Sequence, residues 1–525
     1  MPKLIIYEKQ NQYKIQVREG DTILAALQQA GIGSIDAPCG GNGHCGKCLV
    51  HVAGALKAPG EQERSLLQAG ETRRLACLAK VDGDCSVMLY EDELVAVSHG
   101  SGIDFKPDMP DMRGLGAAVD IGTTTVVLYL YDWDTRACLG TVSGRNEQYI
   151  FGADVISRIQ YAADNEGGLE RLTQAIRTQI RHYIHKACVN AGRHMSEVSA
   201  VTVVGNTVME HIFAGVSPSS IGVAPFTPQE LFGRAVWDVA ENLGIAANIP
   251  VYLAPCVAGY VGGDITAGLL SSGAYQAKKP VLFLDIGTNG ELAIGDNNGF
   301  RCCATAAGPA FEGAEISCGM SGVPGAIDHV WMEKDKLCYS TIEHRAPIGI
   351  CGSGLVDVLA VLLERSVIDE TGRLLSPEEV PGCFQSCLHE VNGISAFYLD
   401  ENHTIAIRSD DIRKLQLAKA AVAAGIQILL SESGLSAHEI ELVYLAGGFG
   451  NYMKPSSAAA IGLIPKELLP RLNVIGNSAG LGAVAMLCSE TARADAVWVK
   501  RHCEYIELSN IASFHDTFIE CLMFD

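Results

Sequence analysis

Apolar and polar positions alternate over LIIYE and YKIQV, with KQNQ between them, which predicts a β-hairpin. The spacing then turns helical in TILAALQQAG, where Asp21 is placed to cap the start and Gly31 and Gly33 mark the end. A loop rich in glycine and cysteine follows, then the strand-like runs CLVHVAG, RLACLAKV and CSVMLY. Hairpin, helix, loop and further strands predict a small β-grasp unit over residues 1–95. Residues 96–115 hold Pro, Gly and Asp without periodicity and read as a linker. From residue 116 onward strand-like and helix-like stretches alternate, as in α/β architecture.

That second region repeats itself. VDIGTTTVVLYLYD starts at Val119 and LDIGTNGELAIGDN at Leu284, so Asp120 and Asp285 stand 165 residues apart. Each copy is an apolar run ending in Asp-Ile-Gly-Thr, a polar turn, then another apolar run. Two related lobes are the simplest reading. AKKP marks the boundary between a middle domain, 116–278, and a C-terminal domain, 279–525.

Composition narrows the function. With 525 residues, 48% hydrophobic and 19% charged, the chain can bury several cores and is not globally disordered. The net charge of -21 argues against nucleic acid, which requires a clustered positive field. Residues 1–95 carry ten Lys and Arg against twelve Asp and Glu, so the acidity belongs to the remainder. No uninterrupted apolar run reaches 18 residues, and MPKLIIYEKQ is charged too early for a secretory apolar segment. A soluble cytoplasmic protein without a membrane partner is expected. Its 18 cysteines are then thiols or metal ligands rather than disulfides.

Three of them share one loop. APCGGNGHCGKCLVHV sets Cys39, Cys45 and Cys48 at C-x5-C-x2-C, and Cys77 follows after 28 residues. Such a loop with a distant fourth thiolate suits a [2Fe–2S] cluster. Gly40, Gly41, Gly43 and Gly46 let the backbone wrap the cluster and aim N–H groups at its sulfurs. The spacing is one residue longer than the plant-type pattern and matches ferredoxins that serve oxygenases. The same stretch satisfies G-x-G-x-x-G and is almost a P-loop. However, position 48 is Cys rather than Ser or Thr, and a strand-like run follows. Structural zinc is the competing reading, but Cys77 has no adjacent C-x-x-C. Cys85 is a weaker fourth ligand, since its place in CSVMLY suits a packed side chain.

The repeated turns carry different chemistry. A Gly turn flanked by Thr hydroxyls and backbone N–H groups can cradle phosphate oxygens. An Asp at the end of the preceding strand can hold water or Mg²⁺ beside them. Asp120 with Gly122, Thr123, Thr124 and Thr125 forms one clamp; Asp285 with Gly287, Thr288 and Asn289 forms the other. A third motif, ELVYLAGGFGNYM, leads a strand-like run into Gly447, Gly448 and Phe449, where the backbone can approach a flat ligand such as adenosine. Ser409 and Asp410 can cap the helix-like stretch before it. Other candidates are more ambiguous. Asn206 and Thr207 in VVGNTVMEH follow a strand, where a polar tip can orient attacking water, and His211 reads as structural. Asp264 in GYVGGDITAG is a cleft acid or a helix cap, and Glu312 in AAGPAFEGAEI is equally open. Asp154 in FGADVISRI reads as a helix start with Arg158 as its partner.

This order of motifs resembles the acetate kinase, sugar kinase, Hsp70 and actin superfamily, which binds ATP between two RNase-H-like lobes. The resemblance implies phosphate-1, phosphate-2 and adenosine segments at the three motifs. It also implies a connecting segment, GICGSGLVD, with Gly352 and Ser353 near the nucleotide. With the cysteine loop included, the whole chain resembles the ATP-dependent reductive activators of corrinoid proteins. CGGNGHCGKC, VDIGTTT, GADVISRI, VVGNT, LDIGTNGE, AAGPAFEGAEI, DIRKLQLAKA, LAGGFG, IGLIP and GNSAGLGA carry the likeness.

That family implies a β-grasp [2Fe–2S] ferredoxin-like domain, a linker and two RNase-H-like lobes, with ATP and Mg²⁺. Asp120, Asn206 and Asp285 would be catalytic. The implied activity returns inactive Co(II) to Co(I) in a corrinoid protein of a methyltransferase system, using one electron from a low-potential donor. A homodimer is compatible with it. Plant-type clusters sit near roughly -400 mV, and each 59 mV of mismatch costs about tenfold in a one-electron equilibrium, so ATP has a task. Related activators of methylamine systems carry a C-terminal cysteine cluster for [4Fe–4S]. Here Cys503 and Cys521 stand alone, so the electron path begins at the N-terminal loop. Competing readings are an ATP-driven electron donor to another redox enzyme, a small-molecule kinase with an accessory ferredoxin domain, and a nucleotide-binding module without turnover.

Overall fold

The computed structural model describes residues 1–8, 11–30, 35, 41, 43, 48–67, 73–89, 107–109, 112–313, 315–391, 393–447 and 453–524. Cys39, Cys45, Gly40, Gly46, Gly448, Phe449 and most of 96–115 lie outside the described residues.

The N-terminal unit comprises β1 (Lys3–Glu8), β2 (Asn11–Gln16), α1 (Ile23–Ala30), β3 (Leu49–Leu56), α2 (Glu61–Leu66), β4 (Arg74–Leu75) and β5 (Val81–Leu89). The strands lie in the order β2-β1-β5-β3-β4, with β1 parallel to β5. This is the β-grasp arrangement. Ile23, Leu24 and Leu27 of α1 join Leu4, Ile6 and Val87 in its core.

Three local expectations need correction. Asp21 does not cap α1. Its carboxylate accepts the Arg18 N–H at 3.1 Å, while Thr22 Oγ1 takes the Ala25 N–H at 3.2 Å. RLACLAKV is not one strand, because β4 stops after two residues and the chain turns through 76–78. Helix α2, unmarked by apolar periodicity, occupies EQERSL.

The first lobe contains β6 (Leu115–Ile121), β7 (Thr125–Asp132), β8 (Ala137–Arg145), α3 (Val155–Asp164), α4 (Gly168–Asn190), β9 (Val198–Gly205), α5 (Thr207–Ala214), β10 (Phe232–Val236), β11 (Val251–Pro255) and α6 (Gly263–Ser272). The second opens with β12 (Val281–Ile286), β13 (Gly290–Asp296) and β14 (Gly299–Thr305). Two small sheets follow: β15 (Ala326–Glu333), β16 (Lys336–Thr341) and β17 (Gly349–Ile350), then, after α7 (Gly352–Glu364), β18 (Leu388–Val391), β19 (Ile394–Tyr398) and β20 (Ala406–Arg408). The lobe is completed by α8 (Ser409–Glu432), β21 (Leu442–Ala446), α9 (Pro455–Ala460), β22 (Leu472–Gly476), α10 (Ser478–Cys488), α11 (Glu490–His502), β23 (Cys503–Tyr505) and α12 (Phe514–Glu520).

The two large sheets are built alike. In the first, β8-β7-β6-β9-β11 runs in sequence, and β6, β9 and β11 are parallel. In the second, β14-β13-β12-β21-β22 repeats that order, with β12, β21 and β22 parallel. These are RNase-H-like lobes. Each has an outer core of its own. Between them lies a shared core that includes Val127, Tyr129, Phe283 and Ala293, with Ile265 and Leu269 of α6 and Ala483 and Met486 of α10.

Helix α8 is long and apolar enough to cross a membrane, yet it is mostly buried, with Leu415, Val422, Ile426 and Leu429 in the outer core of the second lobe. Its start differs from expectation. Ser409 and Asp410 lie inside the first turn, and Asp411 makes the capping contact by accepting the Arg408 N–H at 3.1 Å. Cys503, partly buried, lies on β23 beside β14 and packs against the shared core that holds Cys302, and among the described residues it joins no group of three or more metal-ligating side chains. The ferredoxin-like unit touches the first lobe where Gln28 Nε2 donates to the Ile150 carbonyl.

α6 and α10 approach closely because glycines face the contact. A Cβ on Gly482 would lie 2.3 Å from the Ala267 carbonyl oxygen, and one on Gly268 would lie 3.0 Å from Ser478 Oγ of α10 and 2.4 Å from Phe283 Cζ of β12. Gly482→Ala is therefore expected to cost about 1–3 kcal/mol by forcing the backbones apart. Denaturant unfolding of the nucleotide-free chain checks this; a change within about 0.5 kcal/mol would mean that the helices separate freely.

Candidate functional site

Two sites emerge. The first is the cysteine turn. Cys48 directly precedes β3, and Cys77 lies in the turn after β4. Both are buried, with sulfurs 3.2 Å apart, well beyond the roughly 2.05 Å of a disulfide. The Ala76 N–H donates to the Cys48 carbonyl at 2.8 Å, and the Cys77 N–H to Cys48 Sγ at 3.5 Å.

Glu63 of α2, which is buried, anchors this turn. Its two oxygens accept Arg74 Nε and Nη2, both at 2.8 Å, and Oε1 also takes the Leu75 N–H at 3.0 Å. From the other side, the first N–H groups of α1 donate to the turn: Leu24 to the Ala76 carbonyl at 2.9 Å and Ile23 to that of Ala79 at 3.0 Å. The helix N-terminus thus faces the thiols' backbone.

Cys85 sits on β5 opposite Leu4, and burial, then Asp84, pushes its thiol up, as befits a packed side chain. Two soft sulfur donors held side by side in an apolar core, one of them accepting a backbone N–H, fit a cluster. Among the described residues no group of three or more His, Cys, Asp or Glu is set to hold a metal ion by itself.

The second site lies between the lobes, at the parallel-strand ends. The two Asp-Ile-Gly-Thr turns meet there. Each is closed by its glycine N–H at 2.9 Å, Gly122 to the Thr125 carbonyl three residues on and Gly287 to the Asn289 carbonyl two residues on. Thr124 Oγ1 and Thr288 Oγ1 lie 2.9 Å apart, and each donates to Glu312 Oε2 at 2.8 Å. Glu312, open in the sequence, is thus the joint between the turns.

The cleft is acidic. Asp120 is pushed up to about 7 by burial and then by Asp264, against a hydrogen bond from Asn477. Asp285 is pushed up to about 8 by burial, then by Asp264, Asp120 and Glu312. Burial raises Asp264 to about 6, opposed by backbone N–H groups including that of Ile265. Burial, Asp264 and Asp285 raise Glu291. Asp264 is therefore a cleft acid, and Gly262 holds the cap position of α6.

Other expected residues divide. Gly447, in the left-handed region at φ +94°, presses on the second clamp: a Cβ there would lie 2.6 Å from the Ile286 carbonyl and 2.8 Å from Asp285 Oδ1. Asn206 caps α5 by accepting the Met209 N–H at 3.0 Å, and its Nδ2 donates to Thr123 Oγ1, also at 3.0 Å. Gly352 and Ser353 begin α7, and Ser353 Oγ donates to the Asp328 carbonyl at 2.8 Å. His211 is structural: its Nδ1 lies 2.7 Å from the Thr207 carbonyl, and Nε2 accepts the Glu230 N–H. Asp154 caps α3 through a reciprocal pair with Ser157. Arg158 makes its hydrogen bonds elsewhere, to Gly152, Gln148, Met209 and Thr123.

Asn477 escaped the sequence reading. It caps α10 by accepting the Gly480 N–H at 2.8 Å and donates to Asp120 Oδ2 at 2.9 Å, so a second-lobe helix touches the first-lobe acid. Its signals were GNSAGLGA, a segment that carries the family likeness without marking Asn477 itself, and the echo of VVGNT in VIGNS.

Three family models match the chain. The 2Fe-2S iron-sulfur cluster binding domain covers residues 6–82, the RACo middle region 115–277, and the C-terminal domain of RACo, the ASKHA domain, 279–525. The corrinoid activation enzyme RamQ of Eubacterium limosum is 35% identical over 444 residues, 83% of this chain and 74% of that protein. The [Co(II) methylated amine-specific corrinoid protein] reductase of Methanosarcina barkeri is 24% identical over 73% of this chain and 71% of its own length. A solved reductive activator for corrinoid,iron-sulfur protein superposes with a TM-score of 0.72 at 31% identity, covering 100% of this chain and 98% of the other.

The raised carboxylates predict a pH dependence. Native Asp120 and Asp285 hold protons at pH values where the unfolded chain has released them, so stability falls as pH rises from about 4 to 8. In the metal- and nucleotide-free chain, Asp285→Asn should flatten this fall and add ~2 kcal/mol at pH 8. Thermal unfolding with chelator across that range is the measurement; parallel curves for variant and wild type would place the source elsewhere.

Proposed function

The chain belongs to the RACo family of reductive activators of corrinoid proteins, and from that premise we propose that it uses ATP to drive one-electron reduction of a partner protein's corrinoid cobalt from inactive Co(II) to Co(I). The partner would serve a methyltransferase system, and the electron would come from a low-potential donor. The observation that carries this reading is the joining of the Cys48–Cys77 turn, in one chain, to a cleft where Thr124 and Thr288 meet at Glu312.

Cys39, Cys45, Cys48 and Cys77 would hold the [2Fe–2S] cluster. When bound, the cluster accepts one electron and passes one on. The chain's own part is to exclude water around the sulfurs and to stabilise thiolate charge, as the Cys77 N–H on Cys48 does.

In the cleft, Gly122, Thr123, Thr124 and Thr125 bind one side of the ATP phosphates, and Gly287, Thr288 and Asn289 the other. Gly447, Gly448 and Phe449 would contact the adenosine, with Gly352 and Ser353 as further nucleotide contacts. Asp120 and Asp285 would hold Mg²⁺, and Asp264 adds negative charge next to them. This fit rests on the like-charged carboxylates, whose mutual repulsion a divalent cation relieves. Asn206 acts on the phosphates through the Thr123 hydroxyl that it holds. Closure of the lobes about the nucleotide would be the moving step.

The test is anaerobic. The purified chain is mixed with a Co(II) corrinoid protein and a low-potential reductant, and Mg-ATP is added. ATP-dependent appearance of the Co(I) spectrum is expected. A phosphorylated small molecule formed without any need for reductant would favour the kinase reading instead. Cys77→Ala should lose cluster absorbance and Co(I) formation yet bind Mg-ATP within about twofold of wild type, whereas Asp285→Ala should keep the cluster spectrum and lose ATP stimulation. Full Co(I) formation by Cys77→Ala would remove the N-terminal turn from the electron path.

A further inference from the structure

Arg158 of α3 is fully buried. Among the described residues no carboxylate pairs with it, and Asp154 is committed to capping its own helix. The guanidinium instead spans two segments. Nε donates to the Gly152 carbonyl at 3.0 Å and Nη1 to Gln148 Oε1 at 3.2 Å, while Nη2 donates to the Thr123 carbonyl at 2.6 Å. Burial pushes the group down to about 9, so it remains a cation at neutral pH. A buried cation with no carboxylate in hydrogen-bond contact is costly, even with the nearby charge of Asp154 offsetting part of the burial.

Its position gives the cost a reason. The Thr123 carbonyl belongs to the first phosphate turn. In a trans peptide the C=O and the following N–H point to opposite sides. Fixing the Thr123 carbonyl toward Arg158 therefore directs the Thr124 N–H away from it. The rest of the turn is also fixed from behind: Asn146 Nδ2 donates to the Gly122 carbonyl at 2.8 Å, and the Asn146 N–H to the Thr124 carbonyl at 2.8 Å. On the front, Thr124 Oγ1 stands beside Thr288. Asp120, Asp264, Asp285, Glu291 and Glu312 make the cleft acidic and repel a polyphosphate, with the Arg145 cation near enough to act on Glu312. Arg158 is a fixed positive charge one peptide removed from the cleft.

We propose that Arg158 is the positioning residue of the first phosphate turn, holding the Thr123–Thr124 peptide in the orientation that receives a nucleotide phosphate and adding positive charge behind it. The assignment rests on the ATP-binding reading above and adds a residue to it.

Calorimetric titration with Mg-ATP, together with kcat and KM for ATP turnover, tests it on the full chain. Arg158→Gln should weaken Mg-ATP binding at least tenfold and raise KM. Arg158→Lys keeps the charge but not the fork, so it should recover part of the affinity. Cluster absorbance should be unchanged in both. Thr173→Val, which removes a buried hydrogen bond to the Ile212 carbonyl in the same lobe, should stay within twofold of wild type. If Arg158→Gln does not fold, Arg158→Lys decides. An affinity and kcat within twofold of wild type in a folded Arg158 variant would overturn the proposal, and so would an equal loss in Thr173→Val, which would mark the effect as general destabilisation. A wild-type chain that binds no Mg-ATP would remove the underlying functional reading itself, a result distinct from either.

Discussion

One carboxylate oxygen, Glu312 Oε2, accepts hydroxyl protons from both lobes, from Thr124 on one side and Thr288 on the other. That bridge sets what the rest of the fold must achieve. Two hairpin turns, 164 residues apart in the chain, have to arrive within 2.9 Å. They do so because each follows the central strand of a sheet with the same strand order, and because the two sheets share an inner core. The width of that core is set where α6 and α10 cross over glycine. A side chain at that crossing would widen the gap and part the threonines. Packing far from the cleft is thus a condition of its geometry.

The same convergence concentrates charge. Burial lifts Asp120, Asp264 and Asp285 above the ordinary carboxylate range, and of the two repeat residues Asp120 also feels Asp264, while Asp285 feels Asp264, Asp120 and Glu312. Where its carboxylates ionise, such a cleft repels itself. Its stability increases with anything that brings positive charge between the lobes, which links closure to the cation and nucleotide rather than to the apolar core. Gly447 belongs to this arrangement, since its backbone occupies the space that a side chain would take beside Asp285 Oδ1.

The Asp-Ile-Gly-Thr repeat was legible because strand, turn and strand are contiguous, so each copy carries its whole signature. The lobes and the β-grasp unit followed from such local patterns. Residues whose role depends on distant partners were not legible. Asn477 reaches Asp120 across 357 positions, and nothing near either residue announces the other. Asp264 and Glu312 remained open in the sequence because only burial and neighbours separate a cleft acid from a helix cap. Glu63 was missed because a buried Glu bonded to Arg74 looks, in sequence, like any surface charge on EQERSL. At α1, Asp21 and Thr22 offer equivalent caps, and the choice fell to Thr22 because Asp21 turns back to Arg18.

Electron carrier and nucleotide cleft are stabilised separately. The ferredoxin-like unit closes a core of its own, and its cysteine turn is fixed locally by Glu63 and α1. The chain that leads from it ends in a firm attachment to the other module. Asp108 accepts the N–H groups of Glu490 and Thr491 and the Ser489 hydroxyl at the start of α11, and hydrogen bonding led by Thr491 holds its carboxyl down at about 2. The attachment therefore stays ionised over the whole physiological range. The direct contact between the modules, from Gln28 to the Ile150 carbonyl, falls on the short segment 147–150 whose Gln148 is bonded to Arg158. Among the described residues these joints tie the ferredoxin-like unit to the lobes, and one of them adjoins the first Asp-Ile-Gly-Thr turn through Arg158, so a change in that turn has a direct route to the position of the unit.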